Sequence, residues 1–147
     1  MLKRELAEVE GGYDFILLNH SFEHMPDPRS VLAHVHRLLK PDRFVALRIP
    51  VAGCWAWEHY RENWVQLDAP RHFFLHTRRS IEILAEATGF ELVTVEYDST
   101  DFQFWASEQY ARGIHAGFKN TIASQEQVLE YRARADQLNR ESQGDQA

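Results

Sequence analysis

The spacing of apolar positions changes along this chain, and each change marks an element. Residues 13–19, YDFILLN, hold an unbroken apolar run from Phe15 to Leu18, as in a strand covered on both faces. After Pro28 the spacing becomes three and four, placing Val31, Leu32, Val35, Leu38 and Leu39 on one side of a predicted helix. Asp27 and Pro28 mark its start, since a carboxylate caps free N–H groups and proline suits the first helical position. Pro41 and Asp42 stop it, and residues 44–49 supply a second apolar run. A strand, helix and strand joined this tightly cross over right-handedly and leave the strands parallel. Their carboxyl ends, at Asn19–His20 and Pro50–Val51, then share one rim. Open α/β sheets bind ligands at such a rim.

The rest of the pattern is less regular. Residues 1–10 form an amphipathic turn or two, with Leu2, Leu6 and Val9 on one side, and Gly11–Gly12 breaks it. Residues 51–70 hold Trp55, Trp57, Tyr60 and Trp64 without a clean period, although 57–64 fits a short helix. Connections this long are often lids or binding loops. Thr77 caps a predicted helix with Ile81, Leu84, Ala85 and Thr88 inward, and Gly89 suits a left-handed C-terminal residue. Residues 90–97 read as a third strand, and 102–118 as a helix burying Phe104, Trp105, Tyr110 and Ile114. Ser124 and Gln127 form a capping box for a helix through 139, with Val128, Tyr131, Ala135 and Leu138 on one face. The expectation is one α/β domain over 1–147, with its core at 13–97 and C-terminal helices over 102–139.

Composition narrows the function classes. At 147 residues and 44% hydrophobic the chain has material for one globular core. A formal charge of −6 and the absence of a basic stripe argue against a nucleic-acid partner. Cys54 is the lone cysteine, which excludes a disulfide framework or a cysteine-rich zinc cluster. No apolar run is long enough for a bilayer, and no signal peptide is evident. A soluble cytoplasmic protein without a membrane partner is the expectation.

The densest polar cluster is His20-Ser21-Phe22-Glu23-His24. It matches H-x-x-E-H, an inverted zinc-protease motif. However, Pro26 leaves barely one turn, and no later glutamate in a helical setting offers a third ligand. A zinc hydrolase through His20, Glu23 and His24 is therefore the least favoured reading, and no metal site is expected. A role at the ligand rim is preferred, with loop-capping polarity as the plain alternative. Histidine titrates near neutrality and suits a general base. Trp55, Trp57 and Trp64 either line an acceptor pocket or plug the gap between excursion and sheet. Asp68, Arg71 and His72 form a compact polar trio. Either an Asp–Arg pair orients that loop, or Arg71 or His72 meets an anionic or hydroxyl-bearing substrate.

Three stretches, YDFILLNHSFEHMPDP, HRLLKPDRFVALRIP and NWVQLDAPRHFFLHTRRSIEILAEATGFELV, resemble the S-adenosylmethionine-dependent methyltransferases with a Rossmann-like sheet. The likeness runs from Tyr13 to about Gly113 and includes FQFWASEQYARG. Its most specific elements are Phe22-Glu23-His24 and Asp68-Ala69-Pro70-Arg71-His72, and it is nearest the branch found beside sugar and cell-surface biosynthesis genes.

The resemblance implies that strand 13–19 is the fourth of the parent sheet. The loop after it passes the methionine part of S-adenosylmethionine, so Asn19, His20 and Glu23 are the implied cofactor residues. Trp55, Trp57, Trp64, Asp68 and Arg71 face the methyl acceptor, and His24 and His72 are the implied catalytic groups. The family's glycine-rich loop and ribose-binding acidic residue have no counterpart here, and Gly11–Gly12 is no substitute. Lys40-Pro41-Asp42-Arg43 stands where the family has Lys-Pro-Gly-Gly, and Gly144-Asp145-Gln146 resembles the lead-in to a closing antiparallel strand. The implied fold is an incomplete, C-terminal portion of the Rossmann-like domain, with about three mainly parallel strands. Such a chain is expected to be weak or inactive alone. It is expected to form a homo-oligomer, a dimer above all, over the exposed edge of strand 13–19, or to complement a separate N-terminal half. A non-catalytic interaction module is the alternative.

Overall fold

The computed structural model describes residues 6–115 and 121–147. Strand β1 (Tyr13–Asn19) leads through a single turn of 3-10 helix at Phe22–His24 into helix α1 (Pro28–Leu38), and strand β2 (Leu39–Arg48) follows. β1 and β2 pair in parallel, from Phe15 against Phe44 to Asn19 against Arg48. The crossover and the shared rim are therefore present. The expected start of α1 also holds, since the Asp27 side chain accepts from the Ser30 N–H and Pro28 opens the helix. Helices α2 (Trp55–Tyr60), α3 (Arg78–Ala87), α4 (Phe102–Ala111) and α5 (Gln125–Arg140) complete the order. Thr77 with Ser80 and Ser124 with Gln127 form reciprocal capping boxes at α3 and α5.

Two packed layers result. Phe22, Leu32 and Ile49 are buried together, with Leu18 and Leu47 of the sheet and Ile81, Leu84 and Phe90 against them, so α1 and α3 cover one sheet face. The excursion and the C-terminal helices make the second layer. There Trp64, Val65, Phe104, Trp105, Ala106, Ala135 and Leu138 are buried, and Trp55, Tyr60 and Tyr131 close over them. Burying each large apolar side chain contributes roughly 1.5–3 kcal/mol. α4 is central, burying Gln103, Ser107 and Gln109 as well as its apolar residues.

Several expectations are corrected. Among the described residues the sheet has two strands and not three. Residues 90–97 carry no strand and form the far wall of a cleft of about 660 Å³ beside β2. A strand exists only where another backbone pairs with it, and the cleft keeps β2 out of reach. β1 is not covered on both faces: Phe15 and Leu17 are more than half exposed, as is Phe44 of β2. α1 and α3 cover only the opposite side, and the outer edge of β1 is unpaired among the described residues.

β2 begins earlier than expected. Lys40 and Arg43 both bind the Asp14 carboxylate, at 2.8 and 3.1 Å, and hold residues 40–43 in an irregular register beside β1. The excursion's helix covers 55–60 and not 57–64. α4 ends at Ala111, Ile114 lies exposed, and the expected continuation to 118 falls partly outside the described residues. Of the expected N-terminal helix only a 3-10 turn at Leu6–Glu8 is described, and Leu2 lies outside.

The tail meets the rim. Ile49 and Ala147 exchange both backbone hydrogen bonds, at 2.9 and 3.2 Å, so residues 145–147 run antiparallel to the end of β2. Asp145 is buried and accepts from the Trp64 indole N–H at 3.2 Å. Burial pushes its carboxyl up to about 6. Gly144 has no room for a side chain, since a Cβ there would stand 2.6 Å from Ser99 Oγ.

Candidate active site

The rim loop turns sharply at His20, which has φ +45°. It then forms the 3-10 turn that buries Phe22 and Glu23. Phe22 fills the core against α1, and the same turn carries the Glu23 carboxylate inward. The Glu23 backbone carbonyl accepts from the N–H groups of Phe73 (2.9 Å) and Phe74 (3.4 Å). Those two bonds bring a segment some fifty residues distant in sequence against the rim loop. Asp68, in the left-handed region at φ +38°, starts that segment's turn, and its carbonyl accepts from the N–H groups of Arg71 and His72.

The result is a carboxylate ringed by imidazoles. Glu23 Oε1 lies 3.8 Å from His24 Nε2, 4.0 Å from His72 Nε2 and 3.7 Å from His20 Nδ1. Both carboxylate oxygens are buried and neither makes a hydrogen bond. The rings of His24 and His72 stand 4.8 Å apart and tilted.

Each ring is fixed from behind. The Nδ1–H of His24 donates to the Arg71 carbonyl at 2.9 Å, and that of His72 to the Gln66 carbonyl at 2.8 Å. A carbonyl can only accept, so in the neutral rings these bonds set the tautomer and leave both Nε2 lone pairs facing Glu23. His20 is held the other way: its Nε2 accepts from the Arg48 guanidinium, so its Nδ1–H points toward Glu23. Burial, followed by the Arg48 charge, lowers the His20 pKa and keeps that imidazole neutral.

The structure thus gathers His20, Glu23, His24, Asp68 and His72 at one place. Glu23 sits within the histidine cluster, while Asn19 lies exposed at the end of β1. Arg71 points outward, with its guanidinium on Asp68 at 2.5 Å, so the pair orients its loop. Trp64 lies wholly in the core, edge-on to Trp57, and does not face a pocket. Trp55 is half-buried, stacked on His59 with the Arg134 guanidinium over its face. Gln66 and Arg48, which fix His72 and His20, escaped the sequence reading. The Gln66 carbonyl carries no side-chain signal, whereas Arg48 closes a strand at the rim and was open to notice.

Comparison with known proteins gives the family. A family model described as a methyltransferase domain matches residues 2–95, which include both strands, the histidine cluster and α3. The chain belongs to this methyltransferase family. No curated protein matches it. A solved structure described as a "putative sarcosine dimethylglycine methyltransferase" from Galdieria sulphuraria is similar at 19% identity and a TM-score of 0.47. The match covers 97% of this chain and 54% of that one, so the chain spans about half the length of that structure. No described helix is long and apolar enough to cross a membrane.

Proposed function

We propose that this chain supplies the acceptor-side half of an S-adenosylmethionine-dependent methyl transfer to a small-molecule or glycan-type hydroxyl or amine, within an incomplete Rossmann-like domain. The observation that carries the reading is Glu23, a buried carboxylate without a hydrogen bond that faces two imidazoles locked with Nε2 free. This is a base-and-orienter arrangement.

S-adenosylmethionine supplies an electrophilic methyl group on a sulfonium. The described residues suit only its methionine end, at the exposed Asn19 and the His20 turn beyond β1. Gly11 and Gly12 lie at the opposite end of β1, where Gly11 packs on the α1 carbonyls of Arg37 and Leu38, so they form no adenosyl cradle. The chain is therefore a weak cofactor binder alone.

His24 Nε2 takes the acceptor's proton, and the Glu23 carboxylate stabilises the imidazolium that forms. His72 and His20 flank the carboxylate, and the main-chain bonds from Phe73 and Phe74 fix the turn that carries it. The test is transfer of labelled methyl from S-adenosylmethionine to a panel of sugar-nucleotide and amine acceptors, with an added strand–glycine loop–helix half present or absent. Transfer that falls roughly a hundredfold in His24→Asn supports the reading. Transfer unaffected by that change refutes it.

The exposed Phe15, Leu17 and Phe44 favour a second reading, a half-domain whose work is to bind a partner or a second copy. Failure to bind S-adenosylhomocysteine in any combination, with a stable complex still forming, selects it.

A further inference from the structure

We propose that Glu23 Oε1, His24 Nε2 and His72 Nε2 form a binding site for a divalent first-row transition cation of the Zn²⁺ or Fe²⁺ class. All three atoms lie within 4.8 Å of one another, and the site is a different set from the H-x-x-E-H triad. His20 presents an N–H to Glu23 and so cannot ligate, whereas His72 joins from a separate loop.

The argument begins with Glu23. A buried carboxylate without a hydrogen bond is costly unless a positive charge meets it. The surrounding imidazoles supply none while neutral, and the nearby guanidiniums are committed elsewhere, Arg71 to Asp68 and Arg48 to Asp98. A cation at the centre supplies that charge.

The tautomers point the same way. Metal-bound histidines characteristically donate their other N–H to a carbonyl or carboxylate, which orients the ring and raises its basicity. Both rings already do so, through Arg71 and Gln66 carbonyls.

Size is the remaining condition. Ligand bonds of about 2.0–2.2 Å put neighbouring donor atoms of a tetrahedral site roughly 3.3–3.6 Å apart. The carboxylate-to-imidazole spacings are 3.8 and 4.0 Å and the three donors span up to 4.8 Å, so each donor moves inward by about half an ångström. Two nitrogens and one oxygen leave coordination open for water or an acceptor oxygen. Asp68 Oδ2 stands 3.7 Å from His72 Nε2 but is paired with Arg71, and acts from outside the ligand set.

This inference deepens the methyl-transfer reading, because an acceptor hydroxyl bound at the open position loses its proton to solvent more readily. With a cation bound, His24 serves as a ligand in place of a base. Cation binding and methyl transfer nonetheless fail separately. Binding without transfer defeats only the functional reading, and transfer without binding defeats only this one.

The experiment strips the purified chain with a chelator, titrates it with Co²⁺, follows visible absorption, and then displaces Co²⁺ with Zn²⁺. Stoichiometric binding is expected, with Glu23→Gln and His72→Asn each weakening it roughly tenfold or more, and His59→Ala, exposed and outside the cluster, keeping the stoichiometry. Unfolding midpoints without metal check that each variant is folded, and His24→Gln replaces any that is not. Substoichiometric Co²⁺ in the parent chain, or binding indifferent to the ligand changes, overturns the proposal.

Discussion

Replacing Asp145 by asparagine should stabilise the protein at neutral pH and leave it nearly unchanged in acid. The Asp145 carboxyl is buried, and desolvation outweighs its hydrogen bonds with Ser99 and the Trp64 indole, raising its pKa from 3.8 to about 6. The folded state thus holds the proton more tightly than the unfolded chain. Stability contributed by the protonated form is fully present below the unfolded value and is lost as pH climbs through 6. A shift of about two units corresponds to a loss of about 3 kcal/mol. An asparagine side chain cannot ionise, yet its carbonyl still accepts from the Trp64 indole, so the variant escapes that loss.

The assay is urea unfolding of both proteins at pH 4 and pH 8, followed by tryptophan fluorescence. Burial depresses the pKa of His76, as it does that of His20. Both therefore favour folding above the unfolded value of 6.5 and lose that contribution as pH falls. They are common to both proteins and cancel in the difference. The stability difference between variant and parent should grow by about 2.5 kcal/mol between the two conditions, since pH 4 lies just above the unfolded value of 3.8. Parallel pH profiles would refute the burial argument.

Other outcomes follow from the same structure. Ser124→Ala removes the acceptor for the Gln127 N–H at the start of α5 and should cost about 1 kcal/mol in denaturant unfolding. Arg71→Ala breaks an exposed pair with Asp68, and should cost less than about 1 kcal/mol while leaving the His24 contact to the residue-71 carbonyl in place. If the face bearing Phe15, Leu17 and Phe44 is covered by a second copy, light scattering will show a dimer, and Leu17→Lys will shift it toward monomer. A monomeric parent chain would dismiss that interface.

The parts legible in the sequence were those decided by neighbouring residues. Asp27 with Pro28, Thr77, and Ser124 with Gln127 each act within one helical turn, and all three helix starts stand where the spacing placed them. Residues 90–97 have a strand's composition, but pairing depends on a backbone that local pattern does not reveal, and the cleft separates them from β2. Phe15 and Leu17 misled for a related reason, because apolar character does not say whether another element covers it. Within the site, His20, Glu23 and His24 stood out as a cluster. The convergence of His72 on Glu23 depends on main-chain bonds from Phe73 and Phe74, which any residue type but proline can make.

That main-chain tether has a consequence for how the protein can vary. Because peptide groups join the two histidine-bearing loops, the exposed side chains of the intervening excursion can change without unseating the cluster, whereas Trp64 and Val65 are tied to the core. Glu58, Arg61 and Glu62, which lie exposed, could be exchanged while the cluster keeps its alignment. The alignment of the cluster and the outer surface of the excursion are thereby carried by separate groups, and a library randomised at those exposed positions would leave the histidines in register.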